Sequence, residues 1–228
     1  MSAVAFTEAL AKEYRETFDR AVVRPGRLAE VRRVAARIAA APAMARYAAV
    51  STTTGVPAQV VGILHSLECG LDFTRHLHNG DPLSARTVRV PAGRPVSGDP
   101  PFAWEASASD ALRLKKLHQW TDWSVPGIAY VLERYNGFGY RNYHPETASP
   151  YLWSATTAYT AGKYVADGAW SATAVSKQCG GMAVLRVLAD AGWLPGAVSR
   201  QNGGMTEPHV MAGTGGLDGA PAGAVPEA

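Results

Sequence analysis

The sequence is poor in cysteine and contains no long apolar run, and each absence bears on what the protein can be. Only 2 of the 228 residues are cysteines. Cys69 and Cys179 lie far apart without a CxxC motif, so neither a disulfide framework nor a structural zinc site is indicated. No stretch approaches the roughly 20 apolar residues that span a bilayer, and the N-terminal "MSAVAFTEALAKEYRETFDR" is amphipathic and charged. The sequence therefore predicts no membrane insertion, no signal peptide and synthesis in the cytoplasm.

Strong net charge is also lacking. The formal net charge is +3 and the pI is about 8.9, which is too mild for a nucleic-acid groove but compatible with an anionic polymer as partner. With 47% hydrophobic residues the chain can bury one substantial core. We expect a monomer in which N-terminal helices (1–45) pack on a main domain (46–195), followed by a flexible Gly/Pro/Ala-rich tail (196–228).

Helical spacing of apolar residues dominates the sequence and predicts a mainly α fold. Two N-terminal helices are separated by Pro25-Gly26, and "TTTGVPAQVVGILHSLECG" predicts a third that stops at Gly70. Between residues 71 and 101, the Asn79-Gly80 turn signal and the alternating "ARTVRVP" predict a small β-hairpin lobe directly after that helix. Helical patterns resume in "SASDALRLKKLHQWT", "SVPGIAYVLERYNG", "YLWSATTAYTAGKYVADG" and "TAVSKQCGGMAVLRVLADAGW".

The residue Glu68 has an unusual position for a carboxylate. It follows Leu64 by four residues and Val61 by seven, so it shares a helix face with apolar side chains. It also lies in the last helical turn, where the macrodipole disfavours an anion. Both effects raise a carboxyl pKa, which suits a general acid that works near neutral pH.

Asp81 offers the opposite environment, because it lies in the polar turn "HNGDP", where water and backbone donors keep a carboxylate ionised. A protonated acid on a helix and an ionised carboxylate on a loop divide the work of glycosidic bond cleavage. Thr87 follows on the next segment and could hold the attacking water through its hydroxyl. The hypothetical catalytic set is therefore Glu68, Asp81 and Thr87.

Two segments resemble a known superfamily. "STTTGVPAQVVGILHSLECGLDF" is similar to the helix that ends in the catalytic glutamate of lytic transglycosylases and goose-type lysozymes, and "LERYNGFGYR" resembles their "AYNAGxG" segment. The order of a glutamate, a loop aspartate and then a threonine, here Glu68, Asp81 and Thr87, resembles phage-type lysozymes. The resemblance covers roughly residues 45 to 190 and implies an α+β lysozyme-like fold with Tyr135 and Asn136 in the cleft.

The implied activity is cleavage of the MurNAc-GlcNAc β-1,4 bond of the peptidoglycan glycan strand, without a cofactor, as in a bacteriolytic phage endolysin that is released to the cell wall. Cys69 stands where the family has serine, and the "GLMQ" segment of transglycosylases is missing, so hydrolysis is favoured over the transglycosylase course. Asp81 with Thr87 favours an inverting over a retaining course. A chitinase- or chitosanase-like enzyme, a lytic transglycosylase, and a non-catalytic wall-binding or phage structural protein remain alternatives.

Several other side chains are candidates for substrate contact or for different chemistry. Loop-flanking aromatic residues can stack on sugar rings, and a histidine beside the turn can line a polar cleft; these candidates are His78, Tyr140, Tyr151 and Trp153. The "HLH" at 76–78 lacks the further ligands of a closed metal site, so no metal is expected. Cys179 lacks the oriented downstream histidine that a cysteine nucleophile needs, and is interpreted as a packing residue. Lys115-Lys116 is interpreted as a solvated face.

Overall fold

A computed structural model describes residues 4–166 and 168–193. In this part of the chain the helices are α1 (Glu8–Arg20), α2 (Pro25–Ala39), α3 (Ala41–Thr54), α4 (Ala58–Cys69), α5 (Trp104–Leu114), a short 3-10 helix (Leu117–Gln119), α6 (Val125–Asn136), α7 (Gly139–Tyr143), α8 (Pro150–Trp153) and α9 (Gly181–Asp190). Antiparallel strands β1 (Lys163–Ala166) and β2 (Ala169–Ser171) pair with Tyr164 opposite Trp170. The predicted mainly helical class with a small antiparallel sheet is thereby confirmed. None of the described helices is long and apolar enough to cross a membrane.

The central element is α4, which is buried along most of its length. Helices α2, α3 and α9 pack around it. Gly70 ends the helix in the left-handed conformation with φ of 61°, and its N–H donates to the His65 carbonyl. Glycine adopts this conformation without the strain that a Cβ would add. The helix therefore ends where the sequence predicts, with Glu68 in its last turn.

The N-terminal helices belong to the same packed unit as α4. Helix α1 packs on α6, and α2 packs on both α9 and α4. The sequence predicts one continuous helix beyond Pro25, but the chain breaks at Ala40, because Pro42 has no N–H to continue the hydrogen-bond ladder. The resulting α3 runs through the predicted boundary at residue 45. The predicted flexible tail (196–228) lies outside the described residues.

A buried ionic contact joins α1 to α6 and α7. Glu133 is 3% exposed and accepts hydrogen bonds from the Tyr14 hydroxyl and from Arg141, whose Nη2 lies 2.9 Å from Oε2. Arg141 also donates from Nη1 to Glu13 at 3.0 Å. Because a buried carboxylate is costly without compensating donors, this contact makes the position of α1 depend on Arg141.

The β-hairpin does not lie where the sequence predicts it. Within residues 71–101 the described backbone forms only an isolated bridge between Arg75 and Pro82, and "ARTVRVP" is not a strand. Prolines 91, 95, 100 and 101 have no N–H to donate to a ladder, which explains the irregular path. The hairpin is instead formed by β1 and β2, and β1 lies within the segment 151–168, where the sequence predicts a helix. There, α8 ends after one turn at Trp153, and Ala155 takes a left-handed conformation with φ of 69°.

Two adjacent glycines allow α9 to approach its neighbours closely. A Cβ on Gly180 would lie 2.4 Å from the Leu152 carbonyl oxygen and 2.6 Å from the Ser154 nitrogen. A Cβ on Gly181 would lie 2.7 Å from Leu132 Cδ1. The predicted helix over "TAVSKQCGG" therefore begins only at Gly181, since Gly180 is the extended residue that caps it.

Gly180→Ala is expected to lower the free energy of unfolding by about 1–3 kcal/mol, because the new methyl group meets backbone atoms that cannot rotate away. Gly26→Ala is the matched control, since a Cβ there has nothing within 4 Å. It should be neutral or slightly stabilising in the helix α2. Urea denaturation of the three proteins measures the difference, and equal midpoints for both variants would contradict the packing argument.

Candidate functional site

Glu68 is the centre of the candidate site. Its carboxyl is largely buried, and the Tyr151 hydroxyl donates to Oε1 at 2.6 Å. Burial raises the pKa of Glu68 above its usual range, while the hydrogen bond from Tyr151 and the charge of Lys115 act in the opposite direction. The raised pKa that the sequence predicts is therefore confirmed, and burial is its main cause.

Two tyrosines from different helices surround this carboxyl. Tyr135 lies in α6 and Tyr151 in α8, and both are buried. The Tyr135 hydroxyl donates to the Leu77 carbonyl at 2.9 Å. Burial raises the pKa of both phenols well above the usual value, and the nearby Glu68 charge adds to the effect. Both tyrosines are therefore neutral hydrogen-bond donors at neutral pH.

Lys115 supplies a positive charge that the sequence interpretation missed. Its Nζ donates to the Tyr135 carbonyl at 3.1 Å and lies 5.1 Å from the centre of the Tyr135 ring. Lys115 is the residue that follows α5, and its charge lowers the pKa of Glu68. Lys115 and Lys116 are both exposed, and nothing in the local pattern distinguishes them. The contact depends on how α5 and α6 meet.

Asp81 lies in the loop after α4, where several donors form hydrogen bonds to its carboxylate. Its carboxylate accepts hydrogen bonds from the backbone N–H groups of Val88 (2.9 Å) and Arg89 (3.1 Å), from Arg89 Nε (2.6 Å) and from Asn79 Nδ2 (3.1 Å). These donors outweigh burial and lower the pKa of Asp81 to about 2. The predicted ionised state is confirmed, but the same donors occupy the oxygens that would orient a water.

The Thr87 side chain also forms its hydrogen bonds within the loop. Its hydroxyl donates to the Pro91 carbonyl and accepts from the Arg94 N–H at 2.9 Å. Both Thr87 and Asp81 are 3% exposed. Their contacts hold residues 79–94 in shape, and this placement does not favour the predicted role of positioning water. That role stays a prediction for mutagenesis.

Asp81→Asn tests the loop-holding role. Because the folded pKa of about 2 lies below the unfolded value of about 3.9, Asp81 stabilises the fold above pH 4, and this contribution is lost as pH falls towards 2. The variant should therefore be less stable than wild type at pH 7. This difference in stability should disappear as pH falls towards 2. Thermal denaturation between pH 2 and 7 measures it. The exposed Asp99→Asn is the control, and a gap independent of pH would contradict the argument.

His78 is not at a surface where it could contact a substrate. Its side chain is 0% exposed, and Nε2 lies 2.8 Å from Asp110 Oδ2. Arg94 also donates to Asp110, from Nε at 2.8 Å and from Nη2 at 2.7 Å. Burial lowers the pKa of His78. This buried contact, in which the ring joins α5 to the loop, does not favour a cleft position for His78, and substrate contact by His78 stays a prediction.

The remaining predicted contacts are dispersed. Tyr140 packs edge-on against Tyr164 and Trp170 beside the hairpin, and Trp153 is 5% exposed within the core. Asn136 is the exposed last residue of α6, next to Tyr135. Of the six predicted substrate-binding residues, Tyr135 and Tyr151 are the ones that the structure brings to Glu68.

The cysteines and histidines form no metal site in the part of the chain that is described. The two nitrogens of His76 contact Ser107 Oγ at 2.7 Å and the Ala85 carbonyl at 2.8 Å. Cys179 is buried, and its pKa is raised to about 11, chiefly by burial. Its thiol is therefore protonated at neutral pH, in agreement with a packing role.

Comparisons with protein-family models, with curated proteins and with solved structures give no match. The geometry around Glu68 is thus the basis on which a function can be argued.

Proposed function

We propose that the protein is a muramidase, a glycoside hydrolase that cleaves the MurNAc-GlcNAc β-1,4 bond of peptidoglycan. The observation that carries the proposal is the half-buried Glu68 carboxyl, which has a raised pKa and is held through Oε1 by Tyr151. A general acid needs a pKa near the working pH and a fixed orientation. The resemblance of "GVPAQVVGILHSLECG" and "YNGFG" to lysozyme-like enzymes supports the same assignment.

The hydrogen bond from Tyr151 determines which oxygen of Glu68 carries the acidic proton. Oε1 accepts the phenolic hydrogen, so the proton of the neutral carboxyl resides on Oε2. Among the described residues Oε2 has no hydrogen-bond partner, which leaves it available to a glycosidic oxygen. After the bond breaks, the same carboxylate can accept a proton from water, so one residue serves first as acid and then as base.

In this mechanism Asp81 and Thr87 shape the loop beside the site and do not activate water. Lys115 contributes a positive charge that stabilises the carboxylate form of Glu68 after proton transfer.

A lytic transglycosylase is the second candidate. Because the contacts of Asp81 leave Glu68 without a free partner carboxylate, attack by a hydroxyl of the sugar itself fits the site as well as attack by water.

Digestion of purified peptidoglycan by the wild-type protein, with mass spectrometry of the products, tests the proposal. New reducing ends are expected, and 1,6-anhydro ends would show the transglycosylase course. Parallel reactions on chitin and chitosan distinguish the related glycosidases. If none of the substrates gives products, the proposal is wrong. A lysis function, as in a phage endolysin, would follow from cleavage of intact walls.

Tyr151→Phe is expected to move the alkaline limb of the pH-rate profile to higher pH. The hydrogen bond from Tyr151 lowers the pKa of Glu68, so its removal raises that pKa and keeps the acid protonated over a wider range. The maximal rate should fall by about tenfold, because Oε1 loses its fixed orientation. Tyr130→Phe is the control, since it removes a hydroxyl that bonds Val4 instead. An unchanged alkaline limb in Tyr151→Phe would contradict the assignment.

A further inference from the structure

A surface cavity of about 440 Å³, open to solvent on one side, lies between α2, α3 and the segment that follows α4. Its apolar lining consists of Ala40, Pro42, Ala43, Tyr47, Leu71 and Phe73, and two arginines, Arg37 and Arg46, complete it. The volume is within the range of small-molecule sites, which are concave, mostly apolar and furnished with few polar groups. No acidic side chain is among these lining residues.

The inner wall of the cavity is a rigid aromatic cluster. The Tyr47 hydroxyl and His65 Nδ1 share a hydrogen bond of 2.9 Å, and both residues are 0% exposed. The Phe73 ring lies 4.5 Å from the His65 ring and 5.5 Å from the Tyr47 ring, measured between centroids. These contacts fix the partly exposed Phe73, which therefore offers a preformed surface for an apolar group at little cost in side-chain entropy.

The two arginines differ in what they can still bind. Arg46 is paired through two nitrogens with Glu105, and its guanidinium lies 4.2 Å from the centre of the Phe73 ring. Arg37 is exposed, and its Nη2 makes one long contact of 3.4 Å to the Leu71 carbonyl. No carboxylate of the described residues pairs with Arg37. Its guanidinium therefore has donors free at the edge of an apolar cavity.

We propose that this cavity binds a small apolar carboxylate. The hydrocarbon part of the ligand lies against Phe73 and the wall formed by Ala40, Pro42 and Ala43, and its carboxylate accepts two hydrogen bonds from Arg37. A free carboxylic acid and the C-terminal carboxylate of a short apolar peptide both present this chemistry. The inference is independent of the glycosidase proposal, since it uses none of the residues around Glu68.

Titration of the full chain with 3-phenylpropionate, followed by NMR or calorimetry, tests the site. A dissociation constant on the order of 1 mM is expected for a ligand of this size. The neutral 3-phenylpropionamide has the same shape without the charge, and should bind about tenfold more weakly. Arg37→Gln should weaken the carboxylate about tenfold and leave the amide unchanged.

Arg32→Gln is the matched control, since it makes the same substitution on an exposed position of α2 outside the cavity. The proposal is overturned if both variants lose the same affinity for 3-phenylpropionate. It is also overturned if the carboxylate and the amide bind equally well, or if 3-phenylpropionate does not bind. A parallel titration with acetyl-Ala-Ala distinguishes the sources, because tighter binding than that of phenylpropionate assigns the site to a peptide C-terminus and weaker binding to a free acid. In both cases Arg37→Gln should weaken the binding of the carboxylate about tenfold.

Discussion

Replacing Glu68 with glutamine is expected to lower the rate of peptidoglycan cleavage by about 10²- to 10⁴-fold, the contribution of a positioned general acid. The amide keeps the shape of the side chain and can accept the hydrogen bond from Tyr151, but it has no proton to transfer to a glycosidic oxygen. Release of soluble fragments from purified peptidoglycan measures the loss. The control is Glu16→Gln, because Glu16 lies half exposed on α1, where it pairs with Lys12.

The same substitution should stabilise the fold near neutral pH. Because burial raises the folded pKa of Glu68 above the unfolded value of about 4.3, its favourable contribution is complete below pH 4 and is lost as pH rises through the folded pKa. Glutamine carries no charge to desolvate, so Glu68→Gln should melt higher than wild type at pH 7 and near the wild-type value at pH 4. A variant that is inactive and also less stable at pH 7 would show that the lost activity reflects damage to the fold.

Arg141→Met is expected to lower the free energy of unfolding by about 3 kcal/mol, because it leaves a charge on 3% exposed Glu133 without its cationic partner. The remaining contact is the hydroxyl of Tyr14, which cannot replace the ion pair. Urea denaturation at pH 7 measures the loss. Arg15→Met, at an exposed position of α1, is the control and should change stability by less than about 0.5 kcal/mol.

A double variant separates charge from packing at this site. Glu133→Gln in the Arg141→Met background removes the uncompensated charge and keeps an acceptor for Tyr14, so part of the lost stability should return. If the double variant is as unstable as the single one, the loss in Arg141→Met arises from the missing side-chain packing between α6 and α7.

How much the sequence predicts depends on how local the determining contacts are. The position of Glu68 in the last turn of α4 follows from its spacing to Leu64 and from Gly70, both within four residues. The ionised state of Asp81 was equally accessible, since its donors come from the same loop. The binding of Tyr151 to Glu68 joins residues 83 apart, and no periodicity encodes such a pairing.

The errors of sequence interpretation have the same origin. "ARTVRVP" alternates as a strand does, but its Val88 N–H donates to Asp81 and its Pro91 carbonyl accepts from Thr87, so neither group pairs with a neighbouring strand. His78 has the polarity of a cleft residue, and only the approach of Asp110 from α5 makes it a buried connection. Residues 154–170 have enough alanine to suggest a helix, whereas their tyrosines and tryptophan favour the pleated hairpin.

The packing of α9 against α2, α4 and α8 determines when the site becomes complete during synthesis. Helix α4 emerges from the ribosome early, but Tyr151 follows 83 residues after Glu68, and the glycines that let α9 pack closely come about 30 residues later still. Contacts of such long sequence separation form late, because the intervening chain must be ordered first. We therefore expect the nascent chain to carry a solvated, ionised Glu68 of ordinary acidity until the segment that holds Tyr151 packs over it.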